Sequence, residues 1–153
     1  MKRILTAGLK APTNNHLRQW EFVIVNDKKE RSRVLNLKDM TSYEECEKMM
    51  DGFNMTDSDQ RGMYHIAMPK QFSMLYHSGC LILPFFKLRE PLLQPTCLSS
   101  LNEFASMWCC IENILLAAAS EGILGVTRIP MPEELEHIKK TIHHPDDYAI
   151  PCY

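Results

Sequence analysis

Chemistry-bearing side chains gather first in one short connection of this 153-residue chain, Lys10-Ala11-Pro12-Thr13-Asn14-Asn15-His16-Leu17-Arg18-Gln19. It holds two cations, a hydroxyl, the paired amides of Asn14 and Asn15 and an imidazole. Binding groups collect on loops held by rigid elements, and this density of polar groups suits such a role. A plainer reading also stands: Asn14 and Asn15 supply turn geometry, Thr13 bonds the local backbone and Arg18 is solvated. The turn taken by itself leaves both open.

Three further groups could do chemistry, and each has a simpler explanation. His143-His144-Pro145-Asp146-Asp147 contains metal-ligand types, but no second ligand cluster stands at a recognisable spacing. A helix C-cap is the better reading. Cys109-Cys110 beside Trp108 resembles a redox pair, yet adjacent helical residues point in different directions and apolar surroundings raise a thiol pKa. Core packing is favoured there. Met49, Met50, Met55, Met63, Met68 and Met74 suit either an adaptable pocket or gap-filling, with gap-filling preferred.

The elements that must hold these groups follow from periodicity and punctuation. Ile4, Leu5 and Leu9 share a helical face that Pro12 stops at about Ala11. Trp20 to Val25 combines aromatic and β-branched residues and is closed by Asn26-Asp27, which predicts a strand. Residues 28–37 read as an exposed helix, and Ser42 with Glu45 forms a capping-box pattern opening a helix through Met50. Asp51 to Met74 reads as loop and short helix. Residues 80–86 form a continuous apolar run, the mark of a strand buried on both faces. From Ser100 to Ser120 apolar residues recur at helical spacing with little charge on the remaining face, so this helix belongs in the core or a subunit interface. Gly122 closes it, residues 123–129 read as a third strand, and Pro132-Glu133-Glu134-Leu135 opens a last helix.

Bulk properties narrow the function classes. A net charge of -2 offers no broad basic field for nucleic acid and no polybasic patch for anionic lipid. The longest apolar stretch, Ile111 to Ala119, is far short of the ~20 residues that span a bilayer. Six cysteines show no Cys-x-x-Cys pair, and Cys80, Cys109 and Cys110 lie inside apolar runs, so they read as buried free thiols in a reducing cytoplasm. The length fits one domain over 1–153.

The turn gains meaning from a second segment, Ile111-Glu112-Asn113-Ile114-Leu115-Leu116-Ala117-Ala118-Ala119-Ser120-Glu121-Gly122-Ile123-Leu124-Gly125. Together the two resemble the flavin-dependent nitroreductase family. There an Ala-Pro-Ser/Thr turn runs into a tryptophan-containing strand, as Ala11-Pro12-Thr13 runs into Trp20-Glu21-Phe22-Val23, and a later helix of Glu-Asn-Leu-Leu-Leu-Ala-Ala character ends in a Gly-Leu-Gly turn. The likeness covers residues 1–37 and 79–153.

What the resemblance implies is an α+β three-layer sandwich, a mixed sheet wrapped by helices, in a homodimer built around the 100–120 helix. FMN is the implied cofactor. Residues matching Pro12, Thr13, Asn14 and His16 line its ring and ribityl chain, often across the dimer interface, and Lys10 approaches the phosphate. Arg18 stands where the family usually has glutamine, within reach of a flavin carbonyl. Val126, Thr127, Arg128 and Ile129 offer backbone N–H groups to the ring. Asn102 and Asn113 on the long helix need partners, either a flavin atom, the other subunit or a neighbouring helix.

The implied activity is ping-pong electron transfer from NAD(P)H to an electron-poor acceptor such as a nitroaromatic or quinone, with no catalytic side chain required. The alternative is a flavin-binding or structural protein without turnover. The N-terminal Arg-Ser-Arg element and the C-terminal basic strand of the family have no counterpart here. The chain therefore reads either as a trimmed form of a longer protein or as a variant with a weakened phosphate site.

Overall fold

The computed structural model describes residues 1–35 and 42–153. Strand β1, Trp20–Val25, lies antiparallel to β2, Leu81–Lys87, in register from Trp20 opposite Phe86 to Val25 opposite Leu81. A two-residue strand β3, Tyr148–Ala149, pairs antiparallel with the far end of β2 and gives the order β1-β2-β3.

Alternation along these strands separates two hydrophobic clusters. Trp20, Phe22, Ile82 and Phe86 face one way, against helix α1, Lys2–Gly8, and helix α6, Asn102–Ser120. Val23, Val25, Leu81, Leu83 and Phe85 face the other, against α2, Lys28–Val34, α5, Gln71–His77, and α7, Pro132–Ile142. Helix, sheet and helix thus form the three layers of an α+β sandwich.

Local chemistry sets several helix ends. Asp27 caps α2 by accepting the N–H groups of Lys29 and Glu30 at 2.9 and 3.0 Å. Ser42 and Glu45 make the expected capping box at the start of α3, Tyr43–Gly52. Asp57 caps α4, Ser58–Ala67, through Gln60 N–H at 2.7 Å. His143 ends α7 in the left-handed conformation, φ 55°, the C-cap expected of that histidine pair. Helix α2 ends at Val34, where Leu35 turns extended, short of the expected end at Leu37, a residue outside those described.

Two expectations are corrected. The sheet is antiparallel throughout the described residues, not mixed, and residues 123–129 form no strand. Their β-forming side chains lack a ladder: Arg128 exchanges both backbone hydrogen bonds with Tyr153, at 2.6 and 2.8 Å, and among the described residues the segment makes no other strand-like pairing. The thiols also divide differently, with Cys110 buried, Cys80 half-buried and Cys109 exposed; all six cysteines are free.

The α1–α6 contact is close because Gly8 has no side chain. A Cβ there would stand 2.6 Å from Ile114 Cγ1 and 3.0 Å from Cys110 Sγ. Ile114 is β-branched and stiff within a helix, so it yields little. Gly8→Ala should therefore lower unfolding free energy by about 1 to 3 kcal/mol despite alanine's better helix propensity. Urea denaturation checks this, and unchanged or increased stability would show that the helices can move apart.

Candidate functional site

The turn after α1 is an unusual piece of backbone. Thr13 is extended, Asn14–His16 makes one turn of 3-10 helix, and Asn15, His16 and Arg18 all have positive φ, at 48°, 57° and 46°. Asparagine tolerates the left-handed region; histidine and arginine do so less readily, at a cost of roughly 1 kcal/mol or more each. Such a shape persists only where its surroundings hold it.

The holding comes from the start of α6. Asn14 N–H donates to Ser106 Oγ at 3.1 Å, and Asn14 Nδ2 donates to Glu103 Oε1 at 3.0 Å. Arg89 Nε reaches the same carboxylate oxygen at 2.7 Å, and Asn102 Nδ2 reaches Asn14 Oδ1 at 3.5 Å. Gln19 C=O accepts Lys87 N–H at 3.1 Å, which ties the other end of the turn to β2. Asn113 finds its partner in a neighbouring helix, donating to Ala7 C=O at 3.4 Å.

This arrangement commits Asn14 and frees its neighbours. Lys10, Pro12, His16 and Arg18 are exposed and Thr13 is half-buried. Among the described residues the side chains of Lys10, Thr13, His16 and Arg18 make no hydrogen bond or ion pair.

The second predicted group sits elsewhere. Val126 and Thr127 line an apolar cavity of about 830 Å³ together with Ile4, Ile82, Ile114 and Leu115, and no residue of the 10–18 turn is on its wall. Its size is within the roughly 300 to 1,000 Å³ of small-molecule pockets. Ile129 is exposed. Arg128 is turned inward: its Nε meets Glu134 Oε2 at 3.2 Å, and its Nη groups bond Glu134 and Gln71. One chain therefore keeps the two halves apart.

The sequence profile of the nitroreductase family matches residues 1–152. The chain belongs to the nitroreductase family. Among solved structures it is similar to a nitroreductase family protein from Clostridium novyi NT, with TM-score 0.69 and 13% identity over 99% of this chain and 68% of that one. It is also similar to an FMN-dependent nitroreductase from Clostridium difficile R20291, with TM-score 0.62, 18% identity and coverage of 99% and 69%. An iodotyrosine deiodinase bound to FMN and 3-iodo-L-tyrosine gives TM-score 0.62, 18% identity and coverage of 99% and 74%. The chain spans about two thirds of the length of such structures, 66% in one case. At these identities the likeness shows the nitroreductase fold. No curated protein matches the sequence.

Sequence reasoning overlooked the groups that grip the turn, Glu103, Ser106 and Arg89, because they are polar residues far away in the chain with no local pattern. It also overlooked Cys97. That thiol is exposed just before α6 and lies 3.0 Å from Ser99 Oγ and 3.4 Å from Ser100 Oγ. Hydrogen bonds from Ser100 and then Ser99 bring its pKa down to about 7, whereas burial pushes Cys110 and Cys152 up to about 11. The thiolate is the reactive form, so iodoacetamide should alkylate Cys97 at a rate that is half-maximal near pH 7 and level above it. Cys110 and Cys152 should stay unlabelled in the native protein. Peptide mass spectrometry across pH reads both, and a Cys97 rate still climbing steeply above pH 8.5 would remove the serine effect.

Proposed function

We propose that this chain is an FMN-dependent oxidoreductase that takes electrons from NAD(P)H and passes them to an electron-poor small molecule such as a nitroaromatic or quinone. The observation that carries this reading is the strained turn, pinned at Asn14 and presenting unengaged donors at Lys10, Thr13, His16 and Arg18. That donor set fits FMN: two cations suit its phosphate and carbonyl oxygens, and a hydroxyl and an imidazole suit the ribityl chain and ring edge.

Bound FMN supplies two-electron chemistry between the nicotinamide and the acceptor. The chain's own residues have to bind, orient and exclude water. Pro12 fixes φ and stiffens the path into the turn. Thr13 and His16 orient, Asn14 fixes the backbone, and Lys10 and Arg18 offset negative charge. Val126, Thr127 and Ile129 keep backbone N–H groups without backbone partners among the described residues, suited to a ring edge. Arg128 contributes through its place in the segment, since both its backbone groups and its guanidinium are engaged.

The separation of the two halves within one chain supports a homodimer in which the turn of one subunit meets the 126–129 segment of its partner. The exposed face of α6 suits such an interface: Ala105, Cys109, Leu116 and Ala119 lie on it with Glu112 as its charge. Leu124, Ile129 and Met131 add exposed apolar surface, with Leu124 92% accessible. Six free cysteines support a reducing cytoplasm. No helix among the described residues is long and apolar enough to cross a membrane.

The protein should bind added FMN with flavin bands near ~370 and ~450 nm, and NADH or NADPH should bleach them anaerobically. The double variant Thr13→Ala, His16→Ala should weaken FMN binding by about 1 to 3 kcal/mol, the cost of two lost polar contacts. Failure to take up FMN sinks the reading. Uptake without bleaching by either nucleotide leaves a flavin-binding protein without turnover, and an unchanged affinity in the double variant removes the turn from the site.

A further inference from the structure

We propose that Glu103 is the positioning residue of the flavin turn, with Arg89 as its charge partner; this rests on the flavin reading of the turn given above. Asn14 is the point where the turn is gripped, and both grips come from one face of α6. Glu103 and Ser106 are three positions apart on the helix and so point the same way. One takes the side-chain amide of Asn14 and the other its backbone N–H. The backbone on the far side of this grip has positive φ at Asn15, His16 and Arg18. Releasing Asn14 would let these residues return to ordinary conformations and re-aim the His16 and Arg18 side chains.

The charge arrangement points the same way. The Glu103 side chain is only 12% exposed, and its Oε1 accepts from both Asn14 Nδ2 and Arg89 Nε, at 3.0 and 2.7 Å. A bare carboxylate at that place would repel an anionic ligand on the turn. Arg89 cancels the charge, so Glu103 serves as an acceptor while Lys10 and Arg18 keep the turn's outward face positive. A positioning role separates the acceptor function from the charge, and glutamine retains the first without the second.

The test compares Glu103→Leu with Glu103→Gln in the full chain, reading amide hydrogen exchange residue by residue in the flavin-free protein and FMN affinity by titration. Glu103→Leu should speed exchange at the Asn14 amide about tenfold or more and weaken FMN binding by a similar factor, with β2 amides unchanged. Glu103→Gln should restore both to within about threefold of wild type. If Asn14 exchange and FMN affinity match wild type in Glu103→Leu, the inference is overturned. It is equally overturned if the leucine and glutamine variants behave alike or if β2 exchange rises with that of Asn14, since the effect is then general destabilisation.

Should Glu103→Leu not fold, Asn14→Asp probes the same contact from the other side. It should set two carboxylates against each other and loosen the turn, and adding Glu103→Gln should reverse the loss. No reversal counts against the proposal. A wild-type chain that binds no FMN overturns the flavin reading, and the inference about FMN with it. Unchanged Asn14 exchange in flavin-free protein overturns the positioning role alone.

Discussion

The close approach of α1 to α6 at Gly8 sets the geometry on which the rest of the site side of the molecule depends. With no Cβ at Gly8, Ile114 and Cys110 lie where a side chain would be, and the two helix backbones meet. The chain then has only Leu9, Lys10 and the buried Ala11 before it reaches Pro12. The turn's start is thus measured from α6 by one contact and its middle by another, through Asn14 to Glu103 and Ser106. Its end is fixed to the sheet where Lys87 N–H meets Gln19 C=O. A segment anchored at both ends and in the middle can hold three left-handed residues that a free loop would relax.

Elements defined by their own residues were legible in the sequence, and those defined by a partner were not. Trp20 to Val25 alternates and is stopped by Asn26-Asp27, and the apolar run from Leu81 on can only be buried. The Ser42–Glu45 box, Pro132 at the start of α7 and His143 at its end are likewise local signals. Residues 123–129 carry the same β-forming types as β1, yet a strand exists only where another backbone lies alongside. The alignment there reduces to the exchange between Arg128 and Tyr153, a fact about residue 153 that nothing near 128 encodes. Tyr148–Ala149 is the converse, a strand brief enough to leave no period.

The site divides along the same line. The polar character of residues 10–18 is visible by inspection, and the proline and asparagines announce a turn. That Asn14 points into the protein while His16 and Arg18 point out depends on Glu103 and Ser106, about ninety residues away. Arg128 shows the opposite failure: the resemblance offers its backbone N–H to a ring, while in the fold that N–H goes to Tyr153 C=O and Glu134 and Gln71 enclose its guanidinium.

Charge pairing separates the arginines by role. Among the described residues Arg3, Arg33, Arg61, Arg89 and Arg128 each meet a carboxylate. The exposed pairs, such as Arg3–Glu121 and Arg33–Glu30, contribute little to stability, because water already screens them. Arg128–Glu134 is mostly shielded from water and holds the 123–131 segment to α7. Arg18 has no carboxylate partner among the described residues and lies exposed on a backbone shape it would not choose alone. Arg89 is drawn to Glu103 and neutralises the one carboxylate that, among the described residues, bonds to the turn, so Lys10 and Arg18 keep their positive potential in a chain whose net charge is -2. That field requires the turn to be gripped through a neutralised acceptor, and the pairing of Glu103 with Arg89 meets the requirement.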